Sequence, residues 1–391
     1  MKVAGFKASG IASGIKQNNK KDLGLIFSEE PATTVGVFTT NKIKAAPVLV
    51  TKEKLKRRSA QAILVNSGNA NACTGTRGLE DAHELCSLVA GQLSIPDTSV
   101  VVSSTGIIGV PLPMERISKN IPHLVASLSP QGITDFAEAI MTTDTFPKIV
   151  IKKGVMGNKE VTLCGIAKGA GMIMPRMATL LSFILSDVAA QADLLEESLK
   201  EAVDLSFNRI TIDGDTSTND MVIMMANGRA RNDFLDTHSP QLTAFKTLLI
   251  SLCVDLATLI LKDAEGSTKI INIRVEGACT CTDAQRIAYQ IANSCLVKTA
   301  IYGEDANWGR IMAAIGNAEA DIDPGEIDIL FDNVVVVEKS VDNGMKLQAQ
   351  EIMKRPKYQV TIKLHHGTGI AEIATTDLTI EYVKINSAYP T

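Results

Sequence analysis

Ala178 and Thr179 form a small-residue step immediately ahead of an apolar run, Leu180-Leu-Ser-Phe-Ile-Leu185. A threonine hydroxyl inside a chain is a poor nucleophile, but an N-terminal threonine carries its own amine, which can act as the base. A cut between Ala178 and Thr179 would therefore create a nucleophile where none existed. Lys168-Gly-Ala-Gly171 and Pro175 precede the step, and such a glycine-rich approach suits a tight, strained turn. Strain there would ease attack of Thr179 Oγ on the Ala178 carbonyl, followed by an N-to-O acyl shift and hydrolysis. Taken alone, the dipeptide reads more simply as an ordinary strand start, since threonine before leucines is common in sheets.

Other residues also carry two readings. Thr105-Gly106 ends a strand-like run and is either a simple β-turn or an N–H donor aimed at a developing oxyanion. Lys168 is either a solvated cation or a partner for a substrate carboxylate. Glu265, in Asp263-Ala-Glu-Gly-Ser-Thr-Lys269, reads from the residues alone as a routine loop acid. Thr142, in Met141-Thr-Thr-Asp-Thr145, fits a helix stop with local hydroxyl bonding. Asn386 and Thr391 belong to a tail of the kind that usually frays.

Metal and nucleotide chemistry find little support. Asp213-Gly-Asp-Thr-Ser-Thr-Asn-Asp220 offers hard oxygen ligands suited to Mg²⁺ or Ca²⁺, but it lacks the central glycine and closing glutamate of a calcium loop, so a polar turn is preferred. The Lys168 loop has neither a terminal Gly-Lys-Ser/Thr nor GxGxxG. The histidines lack HExxH or zinc-finger spacing, and His365-His366 reads as surface. Cys279-Thr-Cys281 has no second thiol pair to complete a soft-metal set. No metal and no resident cofactor is expected.

The 391 residues exceed the usual size of one hydrophobic core, so two domains or two large layers are expected. With 21% charged residues and a net charge of −4, no basic field recruits nucleic acid or an anionic membrane. That balance suits a small zwitterionic substrate. Seven scattered cysteines without CxxC pairs suit a reducing compartment. The N-terminus reads as a first strand rather than a signal peptide, and no apolar run is read as reaching the roughly 20 residues that span a bilayer. A soluble, cytoplasmic protein is the expectation.

Strands alternate with helices along the chain, a rhythm of helices covering sheets. Ala62–Val65, Ser99–Ser103, Leu180–Leu185, Arg209–Asp213, Lys269–Arg274 and Tyr358–Lys363 read as strands. Glu80–Leu93 has helical spacing of Leu85, Leu88, Val89 and Leu93. Asp193 and Glu196 resemble a capping box opening a helix with Leu195, Leu199, Ala202 and Val203 on one face. A further helix bears Ile287, Ile291 and Ala292. Leu364–Thr375 reads as a loop, and Tyr382–Asn386 alternates like a last strand that anchors the tail.

Lys168-Gly-Ala-Gly-Met-Ile173, a short spacer and Ala178-Thr-Leu-Leu181 resemble the self-cleavage segment of the ornithine acetyltransferase (glutamate N-acetyltransferase) family. The likeness continues through Gly36-Val-Phe-Thr-Thr-Asn41, Asn66-Ser-Gly-Asn-Ala-Asn-Ala-Cys-Thr-Gly75, Ser104-Thr-Gly-Ile-Ile-Gly109, the Thr142 and Asp213 segments, Asp305-Ala-Asn-Trp-Gly-Arg310 and Tyr382-Val-Lys-Ile-Asn386. The resemblance implies an α/β fold of stacked sheets flanked by helices, N-terminal-nucleophile-like in architecture. It implies a catalytic domain over residues 1–270, a domain over 271–391 completing the pocket, and processed chains 1–178 and 179–391 joined as a heterotetramer.

The same resemblance implies ping-pong transfer of an acetyl group from N-acetylornithine to glutamate. Thr179 would be the nucleophile, Thr105 and Gly106 the oxyanion hole, and Thr142, Lys168, Glu265, Asn386 and Thr391 would bind substrate beside Thr179. An N-terminal-threonine amidohydrolase or aminopeptidase on the same scaffold is the alternative. Whether acetyl-CoA serves as a co-substrate is left open by these residues.

Overall fold

The computed structural model describes residues 2–17, 19–174 and 180–388, so the Ala178–Thr179 junction and Thr391 lie outside the described residues. Among them the chain is mixed α/β with two sheets, divided into one unit of Met1–Asn208 and Asp215–Ile260 and another of Arg209–Gly214 and Leu261–Pro390. The first unit holds β1 (Phe6–Ile11), β2 (Leu23–Phe38), β3 (Ser59–Asn69), β4 (Val100–Ile107), β5 (Lys148–Met156), β6 (Lys159–Lys168), β7 (Leu181–Ser186) and β8 (Met221–Ala226). Their order is β4-β3-β2-β8-β7-β6-β5, with β1 also on β2.

β2 organises this sheet. Its Leu23–Phe27 segment pairs with β3 and its Thr33–Phe38 segment pairs with β8. The register shifts between Phe27 and Ala32, where Pro31 has no N–H to give the ladder. β7 and β8 are parallel and wholly buried, and their near-continuous apolar runs suit strands covered on both faces. On one face Leu85, Val89, Ile117, Ile121 and Leu124 pack with Leu64 and Val102. In another core of the unit, Phe136 meets the edge of Phe183 at 5.5 Å between ring centres.

Helix Leu242–Lys262 corrects the expectation that no run approaches membrane-spanning length. By length and composition it is apolar enough to cross a bilayer, but Phe245, Leu249, Leu252, Leu256 and Ile260 form a buried stripe at helical spacing. Gly154 and Gly165 leave room for it, since a Cβ there would meet Leu248 at 2.9 Å and Leu256 at 2.6 Å. Lys246 pairs with Glu201 at 2.9 Å and Asp255 with Lys152 at 2.5 Å. These two charges interrupt the sequence pattern and mask the helix's length.

The second unit holds β9 (Ile270–Ala278), β10 (Asp328–Phe331), β11 (Val334–Glu338), β12 (Val341–Asp342), β13 (Lys357–Lys363) and β14 (Gly369–Thr376), ordered β12-β11-β10-β13-β9-β14. Helix Cys281–Ala292 buries Ile287 and Ile291 in the core formed with Ile273 and Val275. Side-chain caps open helices of this unit: Thr280 accepts from Asp283 N, Ser294 from Val297 N and Asn307 from Arg310 N. The Asp305–Arg310 motif is thus a helix start, each such cap being worth about 1 kcal/mol.

Several local expectations fail for identifiable reasons. Asp193 and Glu196 do not cap their helix, which has no side-chain cap; both engage Arg58 instead. Arg209–Asp213 makes only an isolated bridge from Ile210 to Ala374, because Thr211 turns to Asn293 at 2.7 Å and Gly214 reverses the chain at φ +83°. Leu364–Thr375 is largely strand, not loop, since β14 pairs with β9 along its whole length. Tyr382–Asn386 lies within helix Ile380–Ala388. Its start is fixed by Thr379, whose Oγ1 accepts from Tyr382 N at 3.1 Å, and this N-terminal cap outweighs the apparent alternation.

Candidate active site

In the first unit, Thr105 and Gly106 lie inside the end of β4 rather than in a turn beyond it. β3 and β4 run parallel there, with Gly68 opposite Gly106 and a register shift at Asn69. Gly106 adopts φ +134°, and a Cβ on it would stand 2.3 Å from the Gly68 carbonyl carbon and 2.4 Å from Asn69 N. Only glycine meets both demands. The strand ends are braced by asparagines: Ser104 Oγ donates to Asn66 Oδ1 at 2.5 Å, and Asn66 Nδ2 donates to Asn69 O at 2.8 Å. Asn219, ahead of β8, donates to Ala70 O at 2.6 Å and Ser104 O at 2.8 Å. This bracing holds the strand end that carries the Thr105 hydroxyl and the Gly106 N–H, the two expected oxyanion donors, and fixed donors are what an oxyanion site requires.

Lys168 ends β6 and its Nζ donates to Thr105 Oγ1 at 3.2 Å. The expected oxyanion and carboxylate groups are therefore neighbours. Between the Thr142 loop and the Gly169 turn sits Asp144, which the sequence pattern does not single out. Its Oδ1 accepts from Lys148 Nζ at 2.6 Å and Gly169 N at 2.7 Å, and its Oδ2 accepts from Thr142 N at 2.9 Å. Burial pushes the Asp144 carboxyl up, but Lys168, Lys148 and these donors together hold it below the usual carboxylate range. The pair with Lys148 has both side chains fully buried. One carboxylate thus ties the Thr142 loop to the start of the segment leading to Ala178 and Thr179.

Asp220 is buried beside this cluster, and its Oδ2 accepts from Ser217 N at 3.2 Å. Burial raises its carboxyl well above the usual range, with Lys168 opposing. The Asp213–Asp220 segment divides its labour: Asp215–Asp220 belongs to the first unit and Asp213 to the second. Among the described residues no three His, Cys, Asp or Glu side chains gather as a metal set.

In the second unit Glu265 and Asn386 meet, with Asn386 Nδ2 donating to Glu265 Oε2 at 2.8 Å. Thr379 positions both. Its Oγ1 donates to Gly266 O at 2.7 Å while capping the helix that carries Asn386. Gly266, at φ +61°, admits the helix, because a Cβ would lie 2.6 Å from Tyr382 N. Tyr382 Oη donates to Asp213 Oδ2 at 3.1 Å. Asp377 accepts from Thr268 N at 2.8 Å and Lys269 N at 3.0 Å, locking the far end of the Glu265 loop. Of the expected residues, then, Thr105, Gly106, Thr142 and Lys168 lie in one unit and Glu265 and Asn386 in the other.

The ArgJ family matches residues 7–391. The chain is 49% identical over 393 residues to the arginine biosynthesis bifunctional protein ArgJ of Geobacter sulfurreducens, with 100% of both chains covered. It is 48% identical to the protein of the same name from Syntrophotalea carbinolica, again with 100% of each covered. The crystal structure of the arginine biosynthesis bifunctional protein ArgJ from Bacillus halodurans superposes with a TM-score of 0.51 at 41% identity, over 53% of this chain and 98% of that one. The chain belongs to the ArgJ family of bifunctional arginine-biosynthesis acyltransferases.

Proposed function

We propose that the chain cuts itself between Ala178 and Thr179 and then carries acetyl groups on Thr179, from N2-acetyl-L-ornithine to L-glutamate. The observation that carries this reading is the contact of Lys168 with Thr105 beside the constrained Gly106, at the start of the segment leading to the junction. The Thr179 amine takes the proton from Oγ as Oγ attacks the acetyl carbonyl carbon. The oxyanion then rests on the Thr105 and Gly106 donors. As the C–N bond breaks, the proton passes to the leaving amine and ornithine departs. Glutamate enters, its amine attacks the acetyl ester, and Thr179 Oγ leaves with a proton.

Lys168 is the partner for the substrate carboxylate and Glu265 for its ammonium, and Thr142, Asn386 and Thr391 are the further substrate-binding residues that the family resemblance carries over. Acetyl-CoA is a second acetyl donor to the same hydroxyl, and the two cut chains assemble as a heterotetramer.

Denatured protein should resolve into chains 1–178 and 179–391. Incubation with N-acetylornithine alone should add one acetyl group to the second chain, on the peptide beginning at Thr179. An uncut chain in active protein, or acetate release without acetylglutamate when glutamate is supplied, would replace this reading with the uncut or the hydrolytic one.

Glu265→Gln keeps the shape of the side chain but not its charge. The specificity constant for N-acetylornithine should fall by about one to two decades, as expected when a charge-assisted contact is removed. The cut at the junction should persist. Unchanged kinetics would return Glu265 to the status of a loop acid.

A further inference from the structure

We propose that Lys16 is a positioning residue of the acetyl-transfer site, holding the Thr142 loop and the Gly68–Gly106 pairing in one arrangement. The proposal rests on the reaction proposed above. Lys16 Nζ donates to Met141 O at 2.6 Å and to Lys21 O at 2.8 Å. Met141 directly precedes Thr142, whose N–H is held by Asp144. The stem of the same lysine lies on Gly68, where a Cβ would stand 3.1 Å from Lys16 Cγ. Gly68 is the register partner of Gly106. One side chain thus touches both the loop beside Lys168 and the strand that backs the oxyanion donors.

Its own backbone is fixed independently. Asp22, fully buried, accepts from Ser13 N at 2.6 Å, Ser13 Oγ at 2.8 Å, Ile15 N at 2.7 Å and Lys16 N at 2.9 Å. Burial lowers the Lys16 ammonium to about 8, with Asp22 and Asp144 opposing and Lys168 and Lys20 reinforcing the shift. A neutral amine still donates two N–H bonds, so both carbonyl contacts survive deprotonation. The role is geometric, and it predicts a loss in turnover rather than in substrate affinity.

The experiment uses the full chain in three forms: wild type, Lys16→Met, which keeps the stem, and Lys16→Arg, which keeps a donor. Fragment masses, steady-state acetyl transfer from N-acetylornithine to glutamate, and hydrogen exchange across residues 139–146 are measured on each. Lys16→Met should still be cut, should lose about one to two decades in kcat with little change in KM, and should exchange faster at Thr142. Lys16→Arg should recover much of kcat. Unchanged kcat, a loss confined to KM, or unchanged exchange at Thr142 would overturn the proposal. If wild type itself transfers no acetyl group, the proposed reaction falls, and exchange at Thr142 alone decides the role of Lys16.

Discussion

Asp144→Ala is expected to destabilise the protein severely and to stop the cut at the junction. The fully buried Lys148 loses its ion pair with Asp144, and breaking a buried pair from one side costs about 3–5 kcal/mol. Against the usual total of about 5–15 kcal/mol this is a large share. The N–H groups of Gly169 and Thr142 lose their acceptor as well. Denaturant unfolding and fragment masses check both effects. Asp144→Asn combined with Lys148→Met removes both charges and should recover much of the stability without recovering the cut. Recovery of both would show that the pair serves packing alone.

The pH dependence has a defined sign. The Asp144 carboxyl is held below its usual range in the folded protein. Its contribution is therefore complete above the unfolded carboxylate value of about 4 and is lost as pH falls through the depressed folded value.

Gly106→Ala should lower acetyl transfer by about two to three decades, the loss typical of an oxyanion donor, while leaving much of the fold intact. The φ of +134° is closed to alanine, and the added methyl carbon would collide with the backbone of Gly68 and Asn69. β4 must move away from β3, carrying the Thr105 hydroxyl and the Gly106 N–H out of line. Such local strain costs on the order of 1–3 kcal/mol, which the rest of an eight-stranded sheet can absorb. Steady-state rates on folded protein test this. Full activity would mean that these two donors do not bear on the reaction.

The sequence carried the fold where patterns were local and apolar. Leu181–Ser186, Ile270–Ala278 and helix Cys281–Ala292 follow from runs and spacing that tertiary contacts reinforce. It misled where one side chain decides the backbone. Thr379 makes a helix of a segment that alternates like a strand, and Arg58 removes Asp193 and Glu196 from capping duty.

At the candidate site, Thr105, Gly106 and Lys168 were legible as chemistry-bearing types, as were Glu265 and Asn386. Their pairing was not, because it joins positions separated by 63 residues in one case and 121 in the other. Asp144 lies within a hydroxyl-rich motif that gives its carboxylate no distinct pattern, and its burial with Lys148 is what shows its role. Lys16 had no local sign at all, since its meaning comes from carbonyls on another part of the chain.

The strand order of the first sheet has a consequence for the cut protein. β1 through β6 precede residue 178, whereas β7 and β8 follow it, and β7 pairs with β6 while β8 pairs with β2. A break at the junction therefore leaves one sheet woven from two polypeptides, with ladders crossing from one to the other on both sides of the β7–β8 pair. Such pieces would behave as complementing fragments rather than as separable domains. Native chromatography would return them as one particle, and neither would keep its share of the sheet alone.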